Sequence, residues 1–351
     1  MTFILSLLTQ RAVLQVSDRV VTWGSQEFDA EANKVIVYLA RNAVVAIAYS
    51  GKAYIDGVTT DHWIAEQISD TALDLEFGMR IGPRRRIPED LGASIERLKH
   101  RATREYSKRG SVEPLEITCA GFQWKTRRLA SPIRPVFATI QNSTAFPGGF
   151  QIAWNDRHHF YPLKNDVRQR GTQFALSQTP MGWMDNQEGQ ILLNSVIAAP
   201  TIDDVEARMV DAVRDVARKS NGQVGPNCMS VLISNTDGLT VRVRYLPTVQ
   251  YHATLRHSFG EMAYPAAFTP WLISPGLVQQ PHVIIGGTIN ASLGELPVVL
   301  ESPPIRLPAT GPRLRMAMSH QRRKGDPMSP RKPDRNPPPR IEPSAFLNDL
   351  V

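Results

Sequence analysis

The chain has 351 residues, 42% of them hydrophobic, enough to bury a sizeable core as one large domain or two modest ones. Its two cysteines, Cys119 and Cys228, exclude a disulfide framework and a cysteine zinc site, and such usage fits a reducing, cytoplasmic setting. Net charge is +7, but residues 311–351 hold nine Lys/Arg against four Asp/Glu, so this tail carries +5 and the rest only +2. By charge, the body is not a nucleic-acid binder.

In chain order, Phe3–Leu8 and Ala12–Val16 are two short apolar runs around a polar Thr9-Gln10-Arg11 break, a strand–turn–strand signal. The first run lacks a basic n-region and a cleavage site, so it is not read as a signal peptide. No later run approaches the roughly 18 apolar residues that a membrane span needs. A polar connection from Ser17 delivers Lys34 at the edge of Val35–Leu39, and Ala43–Tyr49 follows as a second strand pair. Both faces of these strands are apolar, which predicts a sheet covered on both sides. Thr60-Asp61 supplies an N-cap for a helix over about Asp61–Leu73, and Pro88-Glu89-Asp90 opens another with Leu91, Ile95, Leu98, Ala102 and Tyr106 on one face.

Strands return at Leu115–Phe122, Pro135–Gln141 and Phe150–Trp154. Asp156-Arg157-His158-His159 reads as a solvated turn, because adjacent histidines on a strand point to opposite faces; no metal site is assigned. Gln173–Leu176 is a short strand and Gln190–Ala198 a helix. Thr201-Ile202-Asp203-Asp204 opens a well-patterned helix with a capping-box start. Cys228–Ser234 and Thr240–Tyr245 then flank Asn235-Thr236-Asp237-Gly238 as a hairpin. Residues 246–310 read as a β-rich extension. From Gly311 the tail is basic and proline-rich and is expected to be disordered. Strand runs followed by helix pairs, twice over, indicate an α+β class rather than a parallel doubly wound sheet.

The chemistry gathers at the N-terminus. Removal of Met1 before the small Thr2 would leave an α-amine beside that residue's own hydroxyl. Such an amine has a pKa of about 7.7–8.0 and can accept the hydroxyl proton, placing nucleophile and base on one residue. A nearby lysine would stabilise the developing alkoxide, and an aspartate would orient that lysine.

Thr2, Asp18 and Lys34 are separated by 16 and 16 residues. At those intervals the chain resembles proteasome β-subunits and the bacterial proteasome-like proteases, in the N-terminal nucleophile (Ntn) hydrolase superfamily. Asp18-Arg19 resembles the acid motif, Thr22 stands where the family has a Thr that binds substrate backbone, and Ala46–Gly51 (AIAYSG) falls on its glycine-containing turn. The resemblance covers roughly residues 2–75, loosens over Gly121 and Ala217–Ile233, and ends near 245.

The resemblance implies a four-layer αββα sandwich over residues 1–245 and hydrolysis of amide bonds in a peptide or protein substrate. It implies Thr2 as nucleophile, Lys34 and Asp18 as its support, no cofactor, and a homo-oligomer. The oxyanion N–H would come from Ala48, which replaces the family's glycine. Support for the amine would come from Asn221, where the family has Asp, and from Ser177. A non-catalytic interaction protein on the same fold is the rival expectation. Nucleic acid is expected to make at most weak, salt-sensitive contact with the tail.

Overall fold

The structure is a computed structural model that describes residues 2–23, 26–29, 32–69, 79–81, 90–111, 113–124, 133–142, 149–154, 175–180, 182–235, 239–246, 266–268, 270–274, 277–279, 283–285, 300–301 and 305–306. The chain opens with β1 (Ile4–Leu8), β2 (Ala12–Asp18), and a small hairpin of β3 (Val21–Trp23) and β4 (Gln26–Asp29). Next come β5 (Val35–Ala40), β6 (Ala43–Gly51), a hairpin of β7 (Tyr54–Ile55) and β8 (Val58–Thr59), and α1 (Thr60–Ser69). After β9 (Met79–Ile81) and α2 (Leu91–Arg109) follow β10 (Leu115–Gln123), β11 (Arg134–Asn142), β12 (Phe150–Trp154) and β13 (Ala175–Thr179). The helices α3 (Asn186–Ile197) and α4 (Ile202–Lys219) precede β14 (Cys228–Ser234) and β15 (Thr240–Leu246). Six short strands complete the described chain: β16 (Ala266–Phe268), β17 (Trp271–Ser274), β18 (Leu277–Gln279), β19 (Val283–Ile285), β20 (Leu300–Glu301) and β21 (Ile305–Arg306).

Two large sheets organise these elements. A seven-stranded sheet runs β13-β1-β2-β14-β15-β20, with β21 also on β15, and an eight-stranded sheet runs β12-β11-β10-β6-β5-β17-β18-β9. Period-2 alternation sends each strand's side chains to two different cores. Ile4 and Val13 from the first sheet meet Val35, Val37, Val44, Ala46 and Phe122 from the second in one cluster, so the sheets face each other. The opposite faces are covered by helices. Leu5, Leu14 and Val16 pack with Leu193 of α3 and Met209 and Val213 of α4, while Ile36, Ile47 and Ile117 pack with Ile64 of α1 and Leu98 of α2. Apolar residues on both strand faces therefore have cover on both sides, as the unbroken runs predicted.

Local signals account for most boundaries. Asp90 stands as N-cap of α2, and Gly110 ends that helix in the left-handed conformation, at φ 57°. Thr201 and Asp204 form a capping box at α4. A second capping box, Asp185 with Glu188, starts α3 at Asn186 rather than at Gln190. Of the strand expected over Gln173–Leu176, residues 173 and 174 lie outside the described residues; the described strand, Ala175–Thr179, pairs along the whole of β1.

The segment after 246 is built into both sheets: β17 lies parallel to β5, and β20 and β21 pair with β15. Trp271 is buried, and its indole N–H donates to Asp61 Oδ2 of α1 at 3.2 Å. Among the described residues no helix is long and apolar enough to cross a membrane. The expected turn at Asp156–His159, most of the hairpin loop after Asn235, and the tail lie outside the described residues.

Candidate active site

The site begins where β1 and β2 end side by side. Their antiparallel register places Ile4 opposite Ser17, so residues 2–3 meet Asp18 at the end of the ladder. The Phe3 N–H donates to Asp18 Oδ1 at 2.8 Å, and the Asp18 N–H donates back to the Phe3 carbonyl at 3.2 Å. Asp18 Oδ2 accepts from the N–H groups of Val20 and Gly225, each at 3.1 Å, and from Lys34 Nζ at 3.0 Å. Lys34 Nζ also donates to the Val20 carbonyl. Asp18 is 0% and Lys34 1% exposed, so this ion pair is removed from water.

A pair this deep repays its desolvation only when its remaining hydrogen-bonding capacity is met. Here four donors converge on one carboxylate, and the carboxylate in turn grips the backbone next to Thr2. Thr2 is itself buried, and its carbonyl accepts from Ser50 Oγ at 2.8 Å. Thr2 is thus held from the second sheet by Ser50 and, through Phe3, from the first by Asp18, with which Lys34 pairs from the start of β5 in the second sheet. The equal spacing read from the sequence corresponds to one connected network in space.

The other expected residues lie as follows. Thr22 sits on β3, half-buried, at a register shift between β3 and β4. Ala48 is fully buried in β6, opposite Val35 of β5 and Thr118 of β10. The Tyr49 N–H donates to Lys34 on the β5 side, and Lys52 N–H donates to Pro114 on the β10 side. Because ladder groups alternate sides along a strand, the Ala48 N–H points toward Thr118 and into the β10 ladder. Ser177 lies on β13 opposite Ser6, buried, with its hydroxyl unpartnered among the described residues. Asn221 is exposed just beyond α4 at φ 52°, a left-handed position that Asn tolerates well. It is Gly225, in the same turn region, that reaches Asp18.

Several contributors escaped the sequence reading. Gly225 had a local signal, since the turn between α4 and β14 carries two glycines, Gly222 and Gly225. A Cβ at Gly225 would come within 2.7 Å of the Val20 side chain, so glycine is what lets its N–H approach Asp18. Ser50 stood beside Gly51 as an apparent strand end. Gln15 is fully buried between the sheets and donates to Ser6 Oγ and Thr118 Oγ1, both at 3.2 Å. Neither cysteine offers a competing nucleophile. Both are buried in apolar surroundings that push their thiols up to about 12, so neither supplies thiolate near neutral pH.

No family model matches the sequence, and no curated protein matches it. Solved structures do show a likeness. The Gly-1 mutant of Anbu from Hyphomicrobium sp. strain MC1 is similar at 13% identity and a TM-score of 0.40, over 67% of this chain and 82% of that one. Anbu (ancestral beta-subunit) from Yersinia bercovieri is similar at 12% identity and a TM-score of 0.40, over 66% of this chain and 81% of that one.

Proposed function

We propose that the chain is an N-terminal threonine amidohydrolase acting on peptide or protein substrates, with Thr2 as nucleophile once Met1 is removed. The observation that carries this reading is the buried Asp18–Lys34 pair clamped to the backbone of Phe3, immediately after Thr2. Burying a lysine and an aspartate away from water is costly, and a fold that needed only to anchor β1 could do so with apolar side chains.

In the proposed reaction the Thr2 α-amine takes the hydroxyl proton while Oγ attacks the amide carbonyl carbon. The C–N bond then breaks, the departing nitrogen takes that proton, and water hydrolyses the ester left on Thr2. Lys34 contributes positive charge beside the developing alkoxide, and Asp18 positions Lys34. Thr22 is assigned to substrate backbone, and Asn221 and Ser177 to support of the amine. Nothing in these steps requires a metal or organic cofactor. The same reading casts residues 1–245 as a four-layer αββα Ntn-hydrolase-like unit, supported by the two facing sheets with helix pairs outside them. Residues 246–310 are then its β-rich extension and 311–351 its tail, and the protein would work as a cytoplasmic homo-oligomer.

One observation favours the second reading, a non-catalytic interaction protein on this fold. The Ala48 N–H, assigned to the oxyanion, is turned toward Thr118, so catalysis through it requires that ladder bond to open. Intact mass separates the two readings. The hydrolase reading requires loss of Met1, covalent labelling of Thr2 by an electrophile selective for N-terminal threonine, and peptide turnover that vanishes in Thr2→Ala and Lys34→Ala. Retained Met1, or turnover unchanged in either variant, refutes it.

A further inference from the structure

The layer between the two sheets changes character along its length. At one end it is apolar, filled by Val13, Val44, Phe122 and Ile233. Toward Thr2 it becomes polar, through Ser6, Gln15 and Ser17 on one sheet and Glu116, Thr118 and Thr139 on the other. Several of these polar atoms are buried without a hydrogen-bond partner among the described residues: Gln15 Oε1, Ser17 Oγ, Thr139 Oγ1 and Glu116 Oε1. Buried polar atoms are nearly always paired, so acceptors left over together at one end of a core mark a place that favours a hydrogen-bond donor.

Glu116 is the charged member of this group. It lies directly opposite Ser50 in the β6–β10 ladder, and directly opposed residues share a face with their Cβ atoms about 5 Å apart. Ser50 is the residue whose hydroxyl holds the Thr2 carbonyl. Across the other edge of β10, Glu116 faces Gln141, and Thr139 is its diagonal neighbour. On its own strand, Thr118 leads to Gln15. All these neighbours are neutral, and among the described residues no lysine or arginine pairs with the carboxylate. Burial alone pushes that carboxyl up to about 7.

The group this corner is suited to accept is therefore donor-rich and positively charged. A carboxylate, an amide oxygen and a hydroxyl able to accept are the complement of an ammonium or guanidinium group. We infer that Glu116, with Gln15 Oε1 and Thr139 Oγ1, forms a subsite beside Thr2 for a cationic side chain, the lysine or arginine of a peptide substrate. The inference rests on the hydrolase reading for its substrate, while the subsite itself rests on the register and the unpaired acceptors.

Binding and turnover together separate the two claims. Calorimetry on the full chain at pH 8 should show argininamide binding at least ten-fold more tightly than norleucinamide. That preference should be lost in Glu116→Gln and retained in part in Glu116→Asp. Peptides presenting arginine should likewise be turned over at least ten-fold faster than those presenting norleucine, with the ratio falling toward one in Glu116→Gln. Argininamide binding that depends on Glu116 without any peptide turnover would uphold the subsite and remove the hydrolase. Equal binding of the two amides by the wild-type chain overturns the subsite, whether or not the Gln variant folds. So does turnover with no preference for arginine.

Discussion

Asp18 accepts hydrogen bonds from Phe3, Val20, Gly225 and Lys34, and its dependence on Lys34 can be measured. In Lys34→Met the carboxylate keeps the N–H groups of Phe3, Val20 and Gly225 but loses the opposite charge that Lys34 supplies. Leaving a charge buried without its counter-ion costs about 3–5 kcal/mol. The variant's urea midpoint should fall accordingly, and Asp18→Asn in the same chain should recover part of the loss because Asn brings no charge. A loss under about 1 kcal/mol would mean that the pair behaves as a solvated one. Glu116 makes a second residue-scale test, with opposite logic. Its ordinary carboxyl value of 4.5 rises to about 7 in the fold, with burial as the cause. Between those values the unfolded chain releases the proton and the folded chain keeps it, so stability falls as pH rises through that window and levels off above it. The full shift corresponds to about 3 kcal/mol at most. Glu116→Gln should flatten this limb of the stability–pH curve; an unchanged curve would show that the carboxyl titrates as an exposed one.

At the scale of elements, what was legible followed from periodicity and punctuation. β1, β2, β5, β6, β10, β11, β12, β14 and β15 announce themselves as apolar runs, and α2 and α4 as stripes with caps. The β3–β4 and β7–β8 hairpins were not legible, because their strands are two to four residues long and too short to establish a period. Pairing was also hidden. Nothing in the run Trp271–Ser274 announces that it lies parallel to β5, since a strand's partner is a tertiary fact. The run Thr240–Tyr245 reads as a strand, and the structure extends it to Leu246 with alternate residues buried. Its other face carries Arg242 and Arg244, which reach Glu206 and Asp203 of α4, and those carboxylates could not be matched to the arginines from spacing alone. The same limit governs the site. Asp18 and Lys34 were legible by interval, whereas Gly225 lies 207 residues from Asp18 and becomes visible only when β14 pairs with β2. Glu116 did have a signal, as the one acid in the strand Leu115–Gln123, but only the register with Ser50 gives it a place beside Thr2.

For the whole molecule, the decisive question is which parts of the C-terminal half the core requires. Composition divides the chain after about residue 245, where the dense strand and helix patterns end. Pairing divides it differently, because β17 covers the edge of β5 and β20 and β21 cover the edge of β15. Trp271 and Ile273 belong to the same cluster as Ile36, Ile64 and Leu98. Burying a large apolar side chain contributes about 1.5–3 kcal/mol, and removing these two would also strip Asp61 of its indole donor. Asp61 is buried, and desolvation raises its pKa, so a lost partner there is not cheaply replaced. A chain ending at residue 245 should therefore lose most of its cooperative unfolding transition and expose two unpaired sheet edges, with aggregation as the visible outcome. A chain ending at residue 310 keeps every described strand and should melt within a few degrees of the full protein. It should also lose whatever salt-sensitive retention on heparin the +5 tail provides. Cooperative melting of the 1–245 chain at the full-length temperature would show that the later strands decorate the sheets without supporting them. Heparin retention surviving in the 1–310 chain would move the basic surface from the tail to the body.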